Sequence, residues 1–169
     1  YFDFSPYVLT ITIVILFSLF VVQSYGTAKV AAFFGPIMVL FFGVIGLLGA
    51  IHIFDSPQVL AALNPVHGVV YLFSHGWQGF TTLGLVFLAV TGAEALYADM
   101  GHFGRRPIQI AWVCFVLPAL LLNYYGQGAF VLQDLSVVTR EDFSPFYQLA
   151  PQWALIPLIV LATVATIIA

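Results

Sequence analysis

Residues 83–100 read LGLVFLAVTGAEALYADM, and this run decides the fold class. Its first eight residues are wholly apolar, as in a membrane span, and then Thr91, Gly92, Glu94 and Asp99 interrupt it. A carboxylate deep in a span costs roughly 2.5–3.5 kcal/mol on insertion scales. A segment that served only as an anchor would not carry one. The small residues of the Thr-Gly-Ala-Glu cluster let a helix open there and expose backbone carbonyls. Carbonyls, a hydroxyl and a carboxylate are hard oxygen ligands, suited to a small hard cation rather than a soft metal. The residues therefore predict an ion site near the middle of a broken transmembrane helix.

The rest of the chain agrees with a bilayer setting. Of 169 residues, 62% are hydrophobic and only 7% are charged, where a soluble domain carries about 25% charged residues. The expected class is an all-α integral membrane protein. A net charge of −3 gives no reason to expect a nucleic-acid partner. The single cysteine, Cys114, lies in an apolar run and reads as a packing residue. The chain starts at Tyr1 without a basic leader and stops inside the apolar run TVATIIA, so it reads as cut from a longer protein at both ends.

Five spans meet the criterion of about 20 apolar residues: 6–22, 31–54, 77–97, 107–132 and 151–169, all within one transmembrane domain. Gly35-Pro36 and Pro118 predict kinks in the second and fourth, and Pro107 is the expected first helical residue of the fourth. The connection 55–76 holds two start signals, Ser56-Pro57 and Asn64-Pro65, and is expected to form short helices at the membrane interface. Lys29 follows span one and Arg105 and Arg106 follow span three, whereas the opposite side has only Arg140. Positive residues favour the cytoplasm, so span three runs from outside to inside.

Each polar cluster has a bland reading beside the functional one. Thr91 and Glu94 share a helix face at i,i+3 spacing if the helix is unbroken, and line a pocket if it opens at Gly92. Glu94 hydrogen-bonded to a neighbour for packing alone is the alternative. Polar groups at this depth usually mark a pathway. Tyr97, Asp99 and His102 fit the end of a span entering the headgroup region, with Asp99 also available to a gate or proton route. His52, His67, His75 and His102 all fall outside mid-span positions and match no metal-ligand spacing. Asn123 and Gln127, four apart and accompanied by Gly126 and Gly128, suit hydrogen bonding across packed helices, with an outer vestibule as the alternative.

The runs TGAEALYADMGHFGRRPIQIAW at 91–112 and LPALLLNYYGQGA at 117–129 closely resemble the potassium uptake (KUP/HAK/KT) transporters. YGTAKVAAFFGPIMV at 25–39, PQVLAALNP at 57–65 and LAPQWALIPLIVLATVATIIA at 149–169 support the resemblance, which covers nearly the whole chain. Ser24-Tyr25 departs from a more basic pair, in a loop. The resemblance implies an amino acid–polyamine–organocation (LeuT-type) fold of two inverted five-helix repeats with broken first and sixth helices. The spans here then look like helices four to seven and the start of eight, and span three is the sixth. Thr91 and Glu94 match the hydroxyl and carboxylate of the family's potassium site, with Gly92 and Asp99 as secondary candidates. The remaining ligands belong to helices outside this sequence.

The implied function is potassium uptake across the cytoplasmic membrane by a multi-pass protein, through proton-coupled symport and alternating access. Its partners are the potassium ion, the coupling proton, the lipid bilayer and the parent's other helices, with a homodimer as the one further assembly considered. No cofactor is implied. A structural membrane subunit and an intramembrane enzyme using Glu94 or Asp99 are the competing readings. The enzyme lacks a second catalytic partner or metal set at matching depth.

Overall fold

The computed structural model describes residues 13, 17, 27–89, 91, 97, 100–101, 104–139 and 143–168. Every regular element among them is helical. In chain order they are α1 (Thr27–Asp55), a 3-10 segment (Pro57–Leu63), α2 (Pro65–Ser74) and α3 (Gly76–Ala89). Then come α4 (Arg105–Gln133), a second 3-10 segment (Leu135–Thr139), the one-turn α5 (Pro145–Gln148) and α6 (Gln152–Ile168). Two are long and apolar enough to cross a bilayer, α1 over Phe34–Asp55 and α4 over its whole length. The first expected span lies outside the described residues except for Ile13 and Phe17, both helical and exposed.

The chain divides into two compact units, residues 42–159 and residues 1–41 with 160–169. In the smaller unit α1 continues as a helix through Pro36. The second half of α6 there buries Ala162 and Ala165, and the Thr166 hydroxyl donates to the Ala162 carbonyl at 2.8 Å. That bond keeps a polar side chain satisfied within its own apolar helix.

In the larger unit α1 and α4 meet backbone to backbone. A Cβ built on Gly46 would lie 3.2 Å from Ala119 Cα, and one on Gly126 would lie 2.7 Å from the Gly49 carbonyl oxygen. Lipid supplies no hydrophobic drive between helices, so contacts of this kind rest on small residues and dispersion. At the centre stands Asn123, only 3% exposed. Its Nδ2 donates to the Ile45 carbonyl at 3.2 Å, and its Oδ1 accepts from Gln127 Nε2 at 2.6 Å. The i,i+4 amide pair thus bridges α4 to α1, the packing reading of these residues. The Pro57–Leu63 segment packs on the second half of α4, where Val59 Cγ2 would lie 3.1 Å from a Cβ on Gly128. Leu135–Thr139 and α5 also pack on α4.

Three local details differ from expectation. α4 begins at Arg105 rather than Pro107, after Gly104 at φ +86°. Proline is tolerated there because the first-turn amides have no partner inside a helix. Ser56 makes no side-chain cap, although Pro57 does open the 3-10 segment. Ahead of Pro118, the helix widens into a π segment at Trp112–Val116 instead of simply bending.

The Gly49–Gly126 contact yields a test. Gly126→Ala forces a methyl against the α1 backbone and should destabilise the full-length protein by about 1–3 kcal/mol. Gly43→Ala, with open space around it, should leave the thermal midpoint in detergent unchanged. Equal midpoints for the two variants would contradict the packing.

Candidate functional site

Thr91 is held at the end of a helical hairpin. Asn64 begins it, its Oδ1 accepting from the Val66 amide at 3.1 Å, and Pro65 supplies the first helical position. α2 ends at His75, whose ring stacks on Tyr71 at 4.2 Å and whose Nδ1 lies 3.0 Å from the Tyr71 carbonyl. Gly76, at φ +50°, makes the reversal a side chain would resist. α3 then returns along α2. Gly79 packs on the Leu72 backbone, and Tyr71 and Thr82 share a hydrogen bond of 3.4 Å between their hydroxyls. Residues 56–93 contain no Asp, Glu, Lys or Arg.

α3 has 14 residues, a rise of about 21 Å against a hydrocarbon core of about 30 Å. It stops at Ala89, and Thr91 is not helical. The Thr91 amide donates to the Leu88 carbonyl at 3.3 Å, and its Oγ1 donates to the same oxygen at 2.7 Å. With its proton committed to Leu88, the hydroxyl presents lone pairs to anything beyond. The last carbonyls of a helix also lack internal donors and carry the negative end of its dipole. A helix terminus of this kind, exposed at Thr91, suits a cation and opposes an anion. Leu88 was not evident from the sequence; only its i−3 spacing from a threonine hints at the role.

Gly92, Glu94 and Asp99 lie outside the described residues, as does His102. Tyr97, Met100 and Gly101 are helical, with Tyr97 exposed. His52 is tied to its own helix, Nδ1 lying 2.9 Å from the Leu48 carbonyl, and its ring meets Phe130 edge-on. Among the described residues, no three His, Cys, Asp or Glu side chains come together.

Comparison with known proteins bears on what this helix terminus serves. The family model described as the K+ potassium transporter integral membrane domain matches residues 1–169. The chain belongs to this potassium transporter family. It is 61% identical over 166 residues to the probable potassium transport system protein Kup 1 of Geobacter sulfurreducens, covering 98% of the chain and 26% of that relative. It is 59% identical over 166 residues to Kup 2 of a Bradyrhizobium species, covering 98% and 25%. Kup of Thiobacillus denitrificans is 56% identical over 164 residues, covering 97% and 26%. The chain thus spans about a quarter of the length of these relatives. No solved structure matches it.

The helix end at Ala89 predicts a contrast in backbone protection. In hydrogen–deuterium exchange on the full-length transporter, amides of 91–95 should exchange at least about tenfold faster than those of 80–88. Uniform protection across 80–100 would mean a continuous helix and no exposed carbonyls.

Proposed function

We propose that the full-length protein is a secondary active potassium transporter of the cytoplasmic membrane, with the Thr91–Glu94 cluster forming part of its ion site. The observation that carries this reading is the end of α3 at Ala89, followed by Thr91 with its hydroxyl proton committed to Leu88. Family membership supports potassium as the ion, since the relatives are named as potassium transport proteins.

In this mechanism Glu94 balances the charge of the ion, while Thr91 Oγ1 and main-chain carbonyls around Gly92 replace part of its hydration shell. Selectivity then depends on the number and field of these oxygens rather than on a rigid cage. Asp99, nearer the cytoplasm, serves the gate or the route of the coupling proton. Span three would be the broken first helix of an inverted LeuT-type repeat, and alternating access would expose the site to each side in turn. The α1–α4 contact would provide a firm wall against which the α2–α3 hairpin and the opened segment can move.

Substitution separates charge from packing. Glu94→Gln retains shape and hydrogen-bonding capacity but removes the charge, whereas Thr91→Ala removes one neutral ligand. In cells expressing the full-length protein, Glu94→Gln should lower rubidium uptake by at least about tenfold, equivalent to about 1.4 kcal/mol. Thr91→Ala should lower it less, with membrane abundance equal in both. Wild-type uptake by a well-inserted Glu94→Gln protein removes Glu94 from the mechanism. A structural subunit would show no uptake dependent on either residue.

A further inference from the structure

The π turn divides α4 into two parts that are held differently. The approaches of α4 to α1 all lie at residue 119 or beyond. Ala119 faces Gly46, Asn123 donates to the Ile45 carbonyl, Gly126 meets the Gly49 backbone, and the Phe130 ring meets His52 edge-on. Ala119, Asn123, Gly126 and Ala129 are buried there. Ahead of them, none of residues 105–118 is buried.

Main-chain bonding is weakest at the boundary between the two parts. The Leu117 amide donates to the Trp112 carbonyl, five residues back instead of the helical four. Residue 118 is proline and has no N–H. That absent amide is the one a regular helix would send to Cys114 and a widened turn to Val113. A bend between 112 and 118 therefore has fewer bonds to break than one elsewhere in α4. Sharp bends in long helices occur at prolines and π turns for this reason. The lever ahead of the turn is long. Arg105 stands eleven residues before Val116, about 16 Å, so a bend of about 20° carries that end roughly 6 Å.

The Arg105 end would not move alone. The Gly104 amide donates to the Met100 carbonyl at 3.2 Å, and Met100 and Gly101 are helical. The last turn of span three is thus tied directly to the start of α4. We propose that the π turn at Trp112–Val116, with Pro118, is the hinge of a moving arm. Residues 105–116 swing and carry the end of span three, while residues 119–133 stay clamped to α1. This rests on the reading of the full-length protein as an alternating-access transporter and supplies a joint for that cycle. It requires nothing of where the ion binds.

The test measures distances on both sides of the joint. Leu47 on α1, Ile110 in the arm and Leu132 in the clamped part are all exposed. Each can carry a spin label in full-length protein whose Cys114 and other reactive thiols have been replaced. Pulsed electron paramagnetic resonance should show the Leu47–Ile110 distance shifting by about 4–6 Å between rubidium-free and rubidium-saturated protein. The Leu47–Leu132 distance should stay constant. Pro118→Ala and Pro118→Leu each restore an N–H at the joint and remove a residue unfavourable to helices, so loss of folding is not the expected outcome. Both should confine the Leu47–Ile110 distance to one narrow population. Both should also lower maximal rubidium uptake, normalised to membrane abundance, by at least about fivefold, with the half-saturating concentration within about twofold of wild type.

A Leu47–Ile110 distance that stays fixed, or that moves only together with Leu47–Leu132, overturns the proposal, because α4 then travels as one rod. So do Pro118 variants with unaltered distances and rates, and so does a rise in half-saturating concentration at an unchanged maximal rate. Should a Pro118 variant fail to reach the membrane, the distances in protein that keeps Pro118 still decide. Rubidium uptake by the wild type separates the two levels of the argument. Uptake with fixed distances leaves the transporter reading standing and removes the hinge. No uptake at all removes the transporter reading and the hinge with it.

Discussion

In hydrocarbon a peptide group without a hydrogen-bond partner has no water to turn to. The architecture of this chain follows from that constraint. Regular helix satisfies almost every main-chain group in α1 and α4, and the places where helix gives way become the informative ones. Among the described residues, two such places occur in the spanning region. One follows Ala89, where the Leu88 carbonyl receives both donors of Thr91. The other is the π turn before Pro118. At the first, one carbonyl takes two donors; at the second, the Leu117 amide reaches back five residues to the Trp112 carbonyl.

Around these interruptions the larger unit is held by contacts that suit lipid. The buried set is small and includes Ile45, Val59, Ala119, Ala129 and Leu149, while Phe54, Phe73 and Trp153 are largely exposed. A soluble protein would fold to hide such side chains, whereas a bilayer accepts them. Cohesion instead comes from the close approach of α1 and α4 and from Asn123, whose amide reaches a carbonyl already inside the α1 helix. A polar side chain spent in this way gives register as well as stability, since sliding by one residue would strand it.

Much of this was legible in the residues. Asn64-Pro65 announces a helix start because its cap chemistry is local, and the structure places the cap there. Asn123 and Gln127 are legible because i,i+4 spacing among small residues leaves few other roles. The membrane setting follows from composition alone. The α2–α3 hairpin was less accessible, since its pairing depends on Gly79 meeting Leu72 across a turn whose sharpness only Gly76 hints at. The π segment could not be read: Pro118 predicts a disturbance, but whether a helix bends or widens depends on neighbouring packing. Of the candidate site, Thr91 could be placed in detail, and Glu94, Gly92 and Asp99 rest on chemistry and resemblance.

The shortness of α3 has a consequence for how such a protein is made. The described part of α3, Gly76–Ala89, rises about 21 Å, less than a hydrocarbon core of about 30 Å. If positive residues hold Arg105-Arg106 on the cytoplasmic side, that pair and α4, long enough to cross a bilayer, would help to retain span three. Biogenesis of the opened segment is then coupled to its neighbour. Substitutions that weaken α4 would cause span three to be lost during synthesis, before any question of transport arises.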